Sequence, residues 1–354
     1  MGSLLNTYRL IADILSFESE DGSLKSQLKS NTLDWDSLVK VGSSHLVLPT
    51  IYCRLKSKKL LDVIPEELEA YLKEITELNR ERNLAIIVQV KNLAQLLDEH
   101  HIEYVFLKGA ALLVGDYYDD ISERMIGDID ILIAESDLEK AFELLKNESY
   151  TPLKQTLGNH FFEHKHLPRL TTKKHICAVE LHRKLFISYQ HKYLTNSNII
   201  DNKVIYKSLY IPSLQHLSLH NILNYQINDK GHLYKGLNFR ASFDTLVLNK
   251  KYEIDLTKNY FNTKLVKQYV YRSNGFFKDF NNITTIKSTR FLNFKLNNKW
   301  FHKVWYKTLS VYSYLGELIP RFVFFVINSD YRGATWKDRK RIINHLRLKL
   351  LSKT

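Results

Sequence analysis

Two short runs constrain this chain more than any others. Tyr104-Val-Phe-Leu-Lys108-Gly109 is apolar until it breaks at Lys-Gly, and Gly127-Asp128-Ile129-Asp130-Ile131-Leu132-Ile133 follows it. The first reads as a strand feeding a helix N-terminus, where free backbone N–H groups can hold a phosphate. The second reads as a strand, and alternation along it places Asp128 and Asp130 on one face. Two carboxylates on one strand face, beside a phosphate-accepting turn, suit a divalent metal that itself holds phosphate oxygens. Residues 101–200 are therefore expected to form a small mixed-sheet core.

The flanks read differently. Residues 1–100 show helical spacing: Leu4, Leu5, Tyr8 and Ile11, then Trp35, Leu38 and Val39, then a nearly Gly/Pro-free stretch from Glu66 to Glu99. After the Ile129–Ile133 strand, Ser136 or Asp137 can cap a helix through Leu145, with Glu139 completing a capping box if Ser136 is the cap. Strands are expected around Asn159–Lys165 and at Ile176–Leu181, the second carrying Glu180 and leading to His182. From Pro212 the spacing returns to helices, including Leu214–Leu223 and Leu237–Leu248.

Charge separates along the chain. Residues 201–354 hold 27 Lys+Arg against 9 Asp+Glu, whereas residues 1–200 hold 24 against 29. A basic second half fits a polyanionic partner, or simply a solvated basic face. Cys53 and Cys177 are the only cysteines, too few for a disulfide scaffold or a four-thiolate zinc site, so a reducing, cytoplasmic setting is expected. No signal peptide is visible at the N-terminus. The apolar stretch Leu318–Ile327 contains Pro320 and Arg321 and falls short of the roughly 20 residues a span needs, so no transmembrane segment is expected. Residues 337–351 instead form a basic amphipathic helix, suited either to peripheral membrane contact or to docking on its own domain.

The order of the motifs resembles an uncharacterised bacterial nucleotidyltransferase family of the polymerase-β-like superfamily. The likeness runs from about Trp35 to Leu248. It includes the Leu107-Lys108-Gly109-Ala110 turn, Arg124, Gly127-Asp128-Ile129-Asp130, the His164-Lys165-His166-Leu167-Pro168 segment and Glu180-Leu181-His182, followed by His216, His220, Arg240 and Asp244. The resemblance implies an α+β fold with a nucleotidyltransferase core at 101–200, a helical N-terminal region at 1–100 and a helical, basic C-terminal region at 201–354. It implies transfer of a nucleoside monophosphate from a triphosphate such as ATP to a hydroxyl or phosphate acceptor, releasing pyrophosphate. Asp128, Asp130 and Glu180 would bind Mg²⁺ or Mn²⁺, and Glu180 could also accept the acceptor's proton. Lys108, Gly109, Ala110 and Arg124 would contact the nucleotide. The superfamily's usual Gly-Ser turn is Gly109-Ala110 here, with Lys108 ahead of it.

Several residues keep two readings. Arg124 suits triphosphate oxygens or a salt bridge to Glu123 or Asp128. His166 and His182 suit substrate contacts or the orienting of other ligands, and with His164 they could converge on zinc, although no thiolate accompanies them. His216 and His220 share a helical face that more often packs, and Arg240 with Asp244 forms a default i,i+4 ion pair. Two further function classes stay open: a catalytically inactive nucleotide- or nucleic-acid-binding protein, and a membrane-surface adaptor in polysaccharide assembly. Walker A, G-x-G-x-x-G and G-x-S-x-G signatures are absent.

Overall fold

The computed structural model describes residues 3–30, 33–153, 161–162, 164–186, 193–252, 263–280 and 287–351. Four helices open the chain: α1 (Leu4–Leu15), α2 (Asp21–Leu28), α3 (Trp35–Ser44) and α4 (Leu48–Ser57). Asp34 caps α3 by accepting the Ser37 N–H at 2.9 Å. The long apolar-periodic stretch is one helix, α5 (Glu66–Glu99), over the span its spacing predicts.

The core then alternates: β1 (Tyr104–Phe106), α6 (Lys108–Val114), β2 (Asp128–Ile133), α7 (Leu138–Asn147), β3 (Thr151–Pro152), β4 (Leu170–Thr171) and β5 (Ala178–His182). These strands form one mixed sheet in the order β1-β2-β5-β4-β3. β2 is antiparallel to β1 and parallel to β5, so α7 and the two short strands lie in the crossover between them. Next come α8 (Asn196–Asp201) and the hairpin of β6 (Lys203–Tyr206) and β7 (Leu209–Pro212). Helices follow: α9 (Leu214–Leu223), α10 (Gly231–Tyr234), α11 (Phe239–Tyr252), α12 (Lys264–Asn274), α13 (Lys287–Asn297), α14 (Lys299–Ile327), α15 (Ser329–Lys337) and α16 (Arg339–Leu351). The fold is α+β, a mixed five-stranded sheet with helical regions before and after it.

Four local expectations need correction. Phe161, Phe162, His164 and Lys165 belong to no strand, and the rest of the predicted Asn159–Lys165 strand lies outside the described residues. The strand beside β5 is Leu170–Thr171, past the Pro168 turn, with His166 making only an isolated bridge to His182. Of the two cap candidates it is Asp137 that stands at the N-cap of α7, but no side chain caps the helix: Ser136 lies in a 3₁₀ turn at Glu135–Asp137 and the Asp137 carboxylate accepts the Glu103 N–H at 3.0 Å. The hairpin at 203–212 was not read from the sequence. Finally, Leu318–Ile327 is only the end of the 29-residue helix α14, which by length and composition alone could cross a membrane.

Buried amides on α5 fix the approach to the two central strands. Asn83 Nδ2 donates to Ile121 O and Arg124 O at 2.6 and 2.8 Å, and Asn79 Nδ2 donates to Ser122 O and Arg124 O at 2.7 and 3.2 Å. Two turns further along, Gln89 both donates to Cys177 O at 2.8 Å and accepts the Cys177 N–H at 3.1 Å. The helix therefore holds the chain just before β2 and just before β5. Asn83→Ala strands the buried Ile121 carbonyl and should lower stability by about 2 kcal/mol. The Asn79→Ala/Asn83→Ala pair should lose more than the sum of the single losses, since Arg124 O then loses both donors, as denaturant titration of the four proteins will measure.

Candidate active site

The parallel register sets Asp130 directly opposite Glu180, and alternation puts Asp128 and His182 on the same face. Asp130, Glu180 and His182 are buried, and Asp128 is half-buried. Three carboxylates packed this closely repel one another and lose hydration, so the fold must supply positive charge. Lys108 supplies one cation. Its backbone turns left-handed, with φ of 50°, and its Nζ lies 2.6 Å from Asp130 Oδ1. His182 Nε2 donates to the same oxygen at 2.7 Å and lies 3.5 Å from Glu180 Oε2. Arg169 bridges the other two acids: Nη2 is 2.8 Å from Asp128 Oδ2 and 2.6 Å from Glu180 Oε1. His166 gives its Nδ1 proton to Leu167 O at 2.7 Å, leaving Nε2 3.7 Å from Glu180 Oε2.

These neighbours push the three acids apart. Burial, with the charges of Asp130 and Glu180, raises the Asp128 carboxyl to about 6. Burial also favours the neutral form of Asp130, but Lys108 and His182 outweigh it and hold that carboxyl far below the usual range. Glu180 comes down to about 2, burial being overcome by His182, His166 and Arg169. Burial pushes the Cys177 thiol up to about 11, which removes it as a nucleophile at neutral pH.

Asp130, Glu180 and His182 each place a ligand atom within 4.8 Å of the others. Two carboxylate oxygens and one imidazole nitrogen can hold a divalent cation once His182 Nε2 gives up the proton it shares with Asp130, so the donor set fits a divalent metal. Asp128 stands beside this trio on the same strand. Gly109 and Ala110 lie in the first turn of α6, both buried. A Cβ on Gly109 would come 3.2 Å from Ile126 Cγ1, so this glycine also permits close helix–loop packing.

Arg124 pairs with neither Glu123 nor Asp128. Its Nε lies 3.0 Å from Asp244 Oδ1 on α11, and Tyr118 donates to the same carboxylate oxygen at 2.6 Å. That replaces the expected Arg240–Asp244 pair. Arg240 instead lines a cavity of ≈ 50 Å³ with Lys108, Arg124, His220 and Asp229, next to the carboxylates. His220 Nε2 is buried there without a hydrogen-bond partner among the described residues. His216 caps locally, its Nδ1 3.0 Å from Ser213 Oγ.

Sequence reasoning gave no role to Arg169 or to Lys165. Arg169 sits beyond a proline that reads as a turn. Lys165 is half-buried among Lys108, Asp130, Glu180 and Asp229, and burial with the nearby Lys108 charge lowers its pKa. Its place between two histidines of the quoted motif was the available signal.

The central strands of this mixed sheet thus carry facing carboxylates with cations beside them, a group that could hold a divalent metal. The family model described as "Uncharacterised nucleotidyltransferase" matches residues 31–272, and the chain belongs to that family. No curated protein matches it.

Removing Lys108 leaves the buried Asp130 charge to His182 alone. Lys108→Met should therefore destabilise the metal-free protein by about 3 kcal/mol. Adding Asp130→Asn should recover most of that loss in the same denaturant titration, because the charge left unpaired is then gone.

Proposed function

We propose that this chain is a metal-dependent nucleotidyltransferase of the polymerase-β-like kind, moving a nucleoside monophosphate from a nucleoside triphosphate to a hydroxyl or phosphate acceptor and releasing pyrophosphate. The observation that carries this reading is the β2–β5 register, which sets Asp130 against Glu180 with Asp128 on the same face, in a chain of a nucleotidyltransferase family. Asp128, Asp130 and Glu180 would hold Mg²⁺ or Mn²⁺, with His182 beside them. Bound there, the metal would neutralise charge at the α-phosphate and orient the attacking and leaving oxygens. Lys108 and Arg240 line the same cavity and Lys165 stands near Lys108, so the three would bind the triphosphate as cations, while the first-turn N–H groups of α6 add donors. Arg124 acts through Asp244, fastening the core to α11 beneath this pocket.

One observation favours nucleotide binding without catalysis: Lys108, Arg169 and His182 already neutralise the carboxylates. Thermal stability separates the two readings. With each NTP at about 100 times its dissociation constant, the native protein should gain roughly 2.7 kcal/mol, and only with Mg²⁺ present. Asp130→Asn should keep its fold and lose the Mg²⁺-dependent part. A gain that is equal with and without Mg²⁺ would favour the non-catalytic reading.

The Asp128 carboxyl also sets a pH dependence. Its folded value of about 6 lies above its ordinary one, so it holds a proton below that pH and must release it to bind a cation. Asp130 and Glu180 stay ionised throughout this range. Mn²⁺ affinity, read by electron paramagnetic resonance, should therefore fall as pH drops through about 6. In Asp128→Asn this slope should flatten and the residual affinity should be weaker.

A further inference from the structure

We propose that α14 and α15 form a docking face for an anionic phospholipid bilayer, with α14 lying in the plane of the membrane. Val311, Leu315, Ile319, Phe322 and Val326 recur at three- and four-residue spacings, with Trp300 and Val304 in phase nearer the start of the helix, and all are exposed. Trp300 is 73% and Phe322 69% accessible, and Trp336 on α15, at 69%, extends the patch. A continuous apolar stripe of this kind on a folded chain marks an interaction surface.

Packing decides between lying and crossing. The opposite face of α14 is held against the protein along its whole length. Phe301 meets Phe291 and Phe294 of α13, and Trp305 Nε1 donates to Tyr234 O at 2.9 Å. Lys230 Nζ reaches Ser313 Oγ at 2.5 Å and Glu317 Oε1 at 2.7 Å, and Phe324 packs on Tyr331 and on Phe161 and Phe162. Crossing would carry the Lys230–Glu317 pair and α10 into hydrocarbon, at prohibitive cost. Lying flat sinks the stripe to the acyl boundary and leaves these contacts intact.

Charge identifies the occupant. Residues 299–351 hold 11 Lys+Arg against 3 Asp+Glu, and Lys303 and Lys307 are exposed on the flank of the stripe. A second copy of the chain would bring the same positive flank against this one. A nucleic acid would satisfy the lysines but leave the apolar stripe in water. Anionic lipid satisfies both, and tryptophans at the two ends of the patch suit the headgroup level. The basic helix expected to make such a contact, α16, follows α15 directly in the chain.

Flotation of the full chain with vesicles tests the proposal. Wild type should float with equal mixtures of phosphatidylcholine and phosphatidylglycerol, float far less with phosphatidylcholine alone, and be released by salt. Ile319→Glu/Phe322→Glu should weaken binding by about tenfold or more, and Lys303→Glu/Lys307→Glu should weaken it only for the anionic vesicles. Circular dichroism and melting should show both variants folded. Failure of the wild type to bind mixed vesicles, or binding unchanged in the Ile319→Glu/Phe322→Glu variant, overturns the proposal. So does a wild-type dimer in light scattering that this variant converts to monomer, which would make the stripe a self-interface.

Discussion

The structure depends first on the burial of Asp130 and Glu180 side by side. An uncompensated carboxylate in a protein interior costs several kcal/mol, and two facing each other cost more. Each compensating cation comes from a different part of the core, and each imposes a demand on the chain. Lys108 reaches Asp130 because α6 begins in a left-handed turn that a lysine adopts at a cost. His182 reaches the same oxygen because β5 runs parallel to β2, which requires the long crossover through α7. Arg169 reaches Asp128 and Glu180 because the chain doubles back through β4. The strand order follows from bringing these three charges to one face.

Helices α5 and α11 act on this face through the chain around it rather than through its acids. Asn79, Asn83 and Gln89 bind the backbone at the start of the two central strands, so α5 sets their separation as well as covering the sheet. From the other side, Asp244 on α11 takes hydrogen bonds from Arg124 and Tyr118 across more than a hundred residues of sequence. Arg124 is thus a joint between the core and the C-terminal helices. Asp279 similarly accepts from Ser16 Oγ and the Phe17 N–H, tying the C-terminal helical region to the turn after α1.

What was legible in the sequence is what local physics decides. α5 appeared in full because apolar residues recur along it at helical spacing and no glycine or proline interrupts it, although Thr76, Asn79, Asn83 and Gln89 stand in its buried face. β2 and the shared face of Asp128 and Asp130 followed from alternation. The missed features depend on partners far along the chain or on turns with weak signatures. The 203–212 hairpin turns through Lys207 and Ser208, both at positive φ, where Asn-Gly would have announced it. Arg169 hid behind Pro168, and Asp244 took the guanidinium that spacing alone would have left to a nearer acid. In α14, Pro320 reads as a break, yet the helix continues through it, and tyrosines and serines dilute an apolar face that only helical geometry collects.

The three side chains that hold the carboxylates differ in how firmly they are fixed, and that bears on how the site could open. The His182 side chain is 1% exposed and that of Lys108 20%, so both are fixed by burial and by Asp130. The Arg169 side chain is 45% exposed and spans two acids at the edge of the sheet. Solvent screens its ion pairs and can rehydrate its guanidinium, so it is the cation that can leave the carboxylates at least cost. Leaving would free Asp128 and Glu180 together while Asp130 kept Lys108 and His182. Arg169 also lies just beyond the segment whose Phe161 and Phe162 pack on α14 and α15, with the Arg321 guanidinium over the Phe162 ring. The most movable charge of the site therefore lies only a few residues along the chain from the contacts that hold α14 and α15.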